Sequence, residues 1–551
     1  MNKTSLFNLY IEFAKSYPFQ AVVFILFSFI YPVDMVYIPS FIGKIVDTLN
    51  NNFTPQIVQQ MGIKLIGVIF FVTTIYYFEV YYKSYFSTKF HKYVNESLFR
   101  RICSNNKINL ENIDNGKTLA NIVKIPTAME LFLKEVEEKF FPYTLSLIAS
   151  AIMLYKYNKT ISLSFLCLIV SYGVLLMYSI NNCGRVDNNK EQIINEIYDN
   201  TDDVFTNFNS VINYNTQEKE LNLLNKKYDK YISSSKKLLS CNIKYVGLFI
   251  VLQLIFMIYT AFNISLMIKN KVKIGNITAI IIILFGAFTS FNYLSNDIEV
   301  IIKNYSIINE GSKYFIDKNK KIKKTKKTVN YDGIYFDKVS LTFKNNKKIF
   351  DNFTFHIPNN KKIGIIGEIG AGKSTLTKLI MRYVEPTSGH IYLDGKPYSN
   401  DNPEKSRSHI GYVNQNPILF NRSLFSNIVY GNNNSRTFVE NKIKELGLNE
   451  FFKKFKGGLD YVAGKYGNNL SGGEKQIIVI LRIILQNPKI VILDEPTASL
   501  DNNTKDKVMS LLDKLIKDKI TILITHDHSI LKNCNNIYKL IKGKLILQSN
   551  N

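Results

Sequence analysis

In the first half of the chain, apolar residues run together without the one-sided spacing of a surface helix. Six such stretches stand out: Phe19–Ile38, Ile63–Tyr82, Phe140–Tyr157, Thr160–Ile180, Tyr245–Ile268 and Ile277–Leu294. Each is close to the ~20 residues that cross a bilayer as a helix. Residues 246–259 (VGLFIVLQLIFMIY) and 277–288 (ITAIIIILFGAF) are apolar all round, which an amphipathic soluble helix is not. Long polar, helix-compatible segments separate the second span from the third and the fourth from the fifth, while the other connections are short. That alternation puts both long segments on one side of the membrane. Lys83, Lys89, Lys92, Arg100 and Arg101 follow the second span, and Arg185 and Lys190 follow the fourth. The positive-inside rule therefore makes the long segments and the N-terminus cytoplasmic. The opening residues contain no Arg and run directly into a full-length span, a pattern unlike a cleaved signal or transit peptide.

After the sixth span the pattern changes. A lysine-dense stretch, Lys313 to Lys327, reads as a solvated linker with some attraction to anionic headgroups. From Tyr331, short β-like runs punctuated by Gly, Asn and Pro alternate with helical stretches, the mark of an α/β domain. The expected organisation is an all-α transmembrane domain over residues 1–315, a linker over 316–330 and an α/β domain over 331–551.

Composition adds two points. A mean hydropathy of −0.02 is the average of a membrane half and a soluble half. The formal charge of +25, from 69 Lys+Arg against 44 Asp+Glu, raises nucleic acid, anionic membrane or phosphate ligands as partners. The cytoplasmic flanks of the spans, the lysine-rich linker and a general Asn, Lys, Ile and Tyr bias account for that charge better than nucleic acid does, so no nucleic-acid partner is expected. The cysteines, Cys103, Cys167, Cys183, Cys241 and Cys534, are odd in number and form no CxxC pair. No disulfide framework or zinc knuckle can be read from them, and scattered thiols are expected.

The chemistry lies in the second half. Gly367-Glu368-Ile-Gly370-Ala371-Gly372-Lys373-Ser374-Thr375 fits GxxxxGK[ST], after the apolar run 362–366 and before a helical stretch. Glycines let backbone N–H groups turn inward around phosphate oxygens, and the helix N-terminus adds partial positive charge. Lys373 is placed to reach the β- and γ-phosphates and Ser374 to ligate Mg²⁺. Further on, Ile490-Val-Ile-Leu-Asp494-Glu495 is an apolar strand ending in two carboxylates. Asp494 suits the Mg²⁺ hydration shell and Glu495 the polarisation of an attacking water.

Leu470-Ser-Gly-Gly-Glu-Lys-Gln476 resembles the signature sequence of the ABC (ATP-binding cassette) superfamily, just ahead of the Asp-Glu strand as that family has it. Gln415 resembles the Q-loop glutamine, Pro496–Asp501 the D-loop, and His526 the switch histidine, while Phe343 stands where the family usually has an adenine-stacking Tyr. The other histidines of this half, His356, His390, His409 and His528, lack motif support. The resemblance implies ATP and Mg²⁺ as cofactors, with Mg²⁺ held by Ser374, Gln415 and Asp494, partly through water. It also implies that Ser471, Gly472 and Gly473 of one cassette cap the γ-phosphate held by a second.

One copy of each motif after six spans resembles a half-transporter of the exporter branch, and Leu419–Gly431 resembles that branch's segment after the Q-loop. The implied protein is an ATP hydrolase coupled to transport, dimerising within a lipid bilayer. The intact Glu495 and signature favour a homodimer, with a heterodimer open. Short coupling helices are expected around Lys124–Met129 and Phe208–Thr216. Two departures stand out: Ala463-Gly-Lys465-Tyr-Gly replaces a stretch that usually carries an acid before the signature, and Pro126 falls near the first coupling helix. Ser210–Asn215 and Phe291–Leu294 resemble segments of half-transporters linked to glutathione conjugates and to mitochondrial or vacuolar export. Inside the spans, Asp34, Glu79, Gln253 and Asn292 are candidates for a substrate path, because such groups are costly in lipid. Pro32 and Pro39 bracket Asp34 and are placed to open the helix there. A lipid, peptide, drug or conjugate substrate remains open, as does a channel or regulator in which hydrolysis gates.

Overall fold

The computed structural model describes residues 7–51, 54–105, 115–312, 328–343, 347–497 and 500–548. Two compact units emerge: Met1–Ser104 with Ile113–Asp317, and Asn105–Asn112 with Lys318–Asn551. Lys313–Lys327 and its expected linker role lie outside the described residues.

The first unit is helical: α1 (Phe7–Ser16), α2 (Pro18–Phe27), α3 (Ile38–Asn51), α4 (Pro55–Asn105), α5 (Asn115–Glu135), α6 (Phe141–Tyr157), α7 (Lys159–Thr206), α8 (Phe208–Asn213), α9 (Gln217–Lys269) and α10 (Ile274–Ser312). Among the described residues, five helical stretches are long and apolar enough to cross a membrane: Pro18–Asn50, Pro55–Ser104, Lys159–Thr206, Gln217–Lys269 and Ile274–Asn309. The remaining expected span falls on α6, 17 residues that run on from a π-helical turn, Val136–Phe140. The turn between α6 and α7 has a local cause. Asn158 is extended (φ −155°), and its side chain accepts from the N–H groups of Thr160 and Ile161, capping α7. Helix contacts in this unit also depend on small residues. A Cβ on Gly43 would lie 2.4 Å from the Gly275 carbonyl oxygen, so α3 and α10 meet backbone to backbone, and Gly275 N–H donates to Asp47 at 2.6 Å.

Three sequence expectations meet particular outcomes here. The chain between Pro32 and Pro39 widens into a π-helical turn, Val33–Tyr37, where the prolines cannot supply regular helix donors. Residues 208–213 form the short helix α8 between two long ones, within the second segment expected to couple. Lys124–Met129 do not form a short coupling helix. They lie inside the continuous α5, Pro126 included, with Ile125, Ala128 and Met129 buried in the unit's core. Their apolar spacing packs them inward instead of presenting them at a turn.

The cysteine reading is also corrected. Cys183 of α7 and Cys241 of α9 are joined as a disulfide, with Cα atoms 5.8 Å apart. The two positions lie far apart in sequence but face each other across the α7–α8–α9 hairpin, a pairing that spacing rules do not register. Cys103, Cys167 and Cys534 are free thiols.

The second unit is α/β. A six-stranded sheet has the order β10-β9-β3-β8-β7-β6, with β3 Lys362–Ile366, β6 Ile410–Val413, β7 Ile490–Asp494, β8 Ile520–Ile524, β9 Asn536–Ile541 and β10 Lys544–Gln548. β6, β7, β8, β3 and β9 are mutually parallel, and only β10 is antiparallel. A four-stranded antiparallel sheet, β2-β1-β4-β5, is built from β1 Ile334–Thr342, β2 Lys348–Ile357, β4 Ser388–Leu393 and β5 Lys396–Pro397. The central strands β7 and β8 are almost wholly buried, as parallel strands covered on both faces must be.

Candidate nucleotide-binding site

Four of the sequence-predicted segments leave the same edge of the parallel sheet. Gly367–Gly372 follows β3, Gln415 lies just beyond β6, Asp494 ends β7, and His526 follows β8. Crevices outside the carboxyl ends of parallel strands are where open α/β sheets bind ligands.

The glycine loop runs from β3 into α11 (Lys373–Ile380). Gly372, the N-cap, has φ +106°, and a Cβ there would sit 3.0 Å from Ile349, so only glycine fits without strain. The loop tip is open, with Ile369 99% exposed. Lys373 folds back over the loop and donates to the carbonyl oxygens of Gly367 and Glu368. Ser374 lies exposed on the first helical turn, and Thr375 is half-buried. Ala371 packs against the same apolar core as the half-buried Phe343, which follows β1.

Asp494 and Glu495 lie at the centre. Register with β8 pairs Asp494 with Ile524, and the Glu495 N–H donates to the Ile524 carbonyl at 2.8 Å. Glu495 has φ +47°, a conformation that costs a non-glycine residue ~1–3 kcal/mol and is concentrated at functional sites. Gln415 Nε2 donates to Glu495 Oε2 at 2.7 Å, and His526 Nε2 lies 3.9 Å from Glu495 Oε1. Glutamine, histidine and carboxylate thus form one cluster.

Tyr412 was not singled out in the sequence. Its hydroxyl donates to Asp494 Oδ2 at 3.1 Å. Burial pushes the Asp494 carboxyl above the usual carboxylate range, and the Glu495 charge adds to this, while the Tyr412 hydroxyl and Lys373 oppose it. Tyr412 lies on β6 three residues before Gln415, and that shared strand was the available signal.

Asn427 is a fully buried polar anchor. Its amide accepts from Phe420 N and donates to the carbonyls of Phe420, Arg422 and Ser423. Arg482 in turn donates to the Asn427 carbonyl at 2.7 Å. These bonds brace the Leu419–Gly431 segment from within and tie it to Arg482.

The signature residues form the start of a helix. Ser471 caps α12 (Gly472–Gln486) in a capping box with Glu474. Burial pushes the Glu474 carboxyl up, but Lys454 and the Ser471 N–H together hold it below its ordinary value. Among the described residues, Ser471, Gly472 and Gly473 make no hydrogen bond to the glycine loop, Asp494 or Glu495. Asp501 caps α13 (Asn502–Leu515) by accepting from Thr504 N–H at 3.0 Å. Lys465 lies on a one-turn 3₁₀ segment, its ammonium 5.4 Å from the Tyr466 ring centre. Residues 498 and 499 of the expected D-loop lie outside the described residues.

A glycine loop, two strand-end carboxylates, a glutamine and a histidine at one sheet edge, with a separate helical unit, define a class of protein. Residues 21–291 match the ABC transporter transmembrane region and residues 350–498 match the ABC transporter family, and the chain belongs to that family.

Two relatives narrow the comparison. One is the iron-sulfur clusters transporter ABCB7, mitochondrial, of Oryzias latipes, 34% identical over 40% of this chain and 29% of that protein. Another is the ATP-binding cassette sub-family B member 10, mitochondrial, of Mus musculus, 39% identical over 36% of this chain and 28% of that protein. The chain thus spans less than a third of the length of either. A solved structure described as a bacterial Atm1-family ABC exporter with ATP bound shares the fold, with a TM-score of 0.82 and 20% identity over 96% of this chain and 94% of that one.

Proposed function

We propose that the protein is one half of an ATP-driven exporter. Two chains sandwich two ATP molecules between their cassettes, and hydrolysis drives a substrate across the membrane. The observation that carries this reading is the cluster of Gln415, Glu495 and His526 beside Asp494, at the sheet edge from which the Gly367–Thr375 loop also leaves. Glu495 is the general base, oriented by Gln415 and His526.

The donor set fits a magnesium nucleotide. Adjacent Asp494 and Glu495 carboxylates, one of them pushed up by burial, favour a divalent cation, and Ser374, Asp494 and Gln415 offer the oxygens that Mg²⁺ takes. Magnesium would neutralise charge developing on the phosphates. Lys373 and the loop N–H groups hold the phosphates, and Phe343 presents a ring face to the base.

The signature glycines support a composite site. A Cβ on Gly473 would lie 2.3 Å from Thr504 Cγ2, so this chain's own packing requires a glycine there. Gly472 is exposed, and nothing lies within 4 Å of a Cβ built on it. Its smallness answers to something outside the chain, which in this reading is the ATP bound to a second cassette. Complete motifs in a single chain favour a homodimer. The N-terminus and cassette are cytoplasmic.

Reconstituted in liposomes, the wild-type protein is expected to hydrolyse ATP and to accumulate a substrate vectorially, and Lys373→Ala to abolish both. Hydrolysis without flux across a broad substrate panel would favour gating over pumping.

A further inference from the structure

The helical unit contains a tyrosine cluster around ionisable groups. Tyr143 of α6 stacks on Tyr293 of α10, with ring centres 5.4 Å apart and planes 11° apart. Tyr31 stands edge-on to both Tyr143 (5.7 Å) and Tyr76 of α4 (5.2 Å). Four helical segments thus contribute one ring each. Two of those segments carry π-helical turns, Val33–Tyr37 and Val136–Phe140, directly beside their tyrosines.

The charges around these rings are mostly negative. Asp34, in the first π turn, accepts a hydrogen bond from Tyr76 at 3.2 Å, and no lysine or arginine pairs with it among the described residues. Glu79, one turn before Lys83 on α4, forms an ion pair with it and is buried. That lysine already demonstrates the chemistry of the site. Its ammonium lies 5.9 Å from the Tyr31 ring centre and 5.6 Å from that of Phe24. Glu137, also buried, has one carboxylate oxygen bonded by Tyr10 and the other without a hydrogen-bond partner among the described residues. In a chain of net charge +25, this is a local reversal of sign.

An unpaired carboxylate in a spanning helix is costly unless it meets water or a counter-charge, and tyrosine faces attract cations through their quadrupole. We propose that this tyrosine-carboxylate cluster binds the transported substrate, and that the substrate is a lipophilic organic cation. Asp34 supplies the counter-charge, and Tyr31, Tyr76, Tyr143 and Tyr293 supply the ring surface. Anionic conjugates are repelled. The inference rests on the exporter reading and specifies its substrate class.

The test uses two probes of matched size and shape, tetraphenylphosphonium and tetraphenylborate. Binding of each to the full-length protein in lipid nanodiscs is measured by equilibrium dialysis without nucleotide, against empty nanodiscs. Saturable binding of the cation, with none of the anion, is expected. Asp34→Asn and Tyr143→Leu each weaken cation binding by about three- to tenfold, while Tyr143→Phe, which keeps the ring, restores it. Variants are compared only as monodisperse protein that still binds ATP. Equal binding of the borate, unchanged binding in both Asp34→Asn and Tyr143→Leu, or no saturable binding of the cation would overturn the inference. ATPase activity abolished by Lys373→Ala is read on the same wild-type preparation. Its presence without cation binding removes the substrate class alone, and its absence removes the exporter reading beneath it.

Discussion

Adjacent glycines at the start of α12 should respond oppositely to the same substitution. In Gly473→Ala the new methyl would lie 2.3 Å from Thr504 Cγ2 and 3.2 Å from Leu500 Cδ2. Thr504 is β-branched and stiff, so α12 and α13 must move apart. Overpacking of this kind costs ~1–3 kcal/mol, and the better helix propensity of alanine returns ~0.5–1 kcal/mol. The net loss, ~1 kcal/mol at mid-range and at most ~2.5 kcal/mol, corresponds to a melting point lower by ~2–4 °C and at most ~10 °C for a domain of this size. In Gly472→Ala no neighbour is met, so the cassette melts at or slightly above the wild-type temperature. ATPase activity nevertheless falls at least ~10-fold, because the methyl intrudes where the second cassette's nucleotide packs. Thermal melts by circular dichroism and steady-state ATPase assays on the same nanodisc preparations make the comparison. Wild-type ATPase activity in Gly472→Ala, or equal melting losses in both variants, would refute the reasoning.

Tyr412→Phe removes the hydroxyl that opposes the upward push on the Asp494 carboxyl. The acid limb of the ATPase profile should move to higher pH and the Mg²⁺ requirement should rise ~3–10-fold, read by Mg²⁺ titration at several pH values. A carboxyl raised in the folded state weakens the fold as pH rises from its unfolded value near ~4 up through its raised folded value, so the variant's stability loss should show above that window and vanish in acid. The Cys183–Cys241 link predicts a cross-linked peptide pair when the full-length protein is digested without reductant. Alkylation of both thiols under those conditions would contradict it.

Hydropathy made the membrane half legible because burial in lipid leaves a signal that needs no partner. Five expected spans lie within long helices and the sixth on α6. The nucleotide-site motifs were legible because phosphate binding constrains residue type and spacing within a few positions. What the sequence hid depends on contacts between distant segments. Cys183 and Cys241 meet only once α7 and α9 pair, and Tyr412 reaches Asp494 only once β6 lies beside β7. At Lys124–Met129 a short coupling helix was expected, with Pro126 as a departure, yet one long helix runs through all six residues. The two prolines around Asp34 gave the better guide, since the π turn forms between them.

The central claim is a composite ATP site made by two chains, and Glu495→Gln tests it most directly. Without the base, ATP should be held but not cleaved. The purified variant should therefore bind one ATP per chain in particles of two chains, with steady-state hydrolysis lost. Hydrolysis at the wild-type rate, or ATP retained by single chains, would contradict the account.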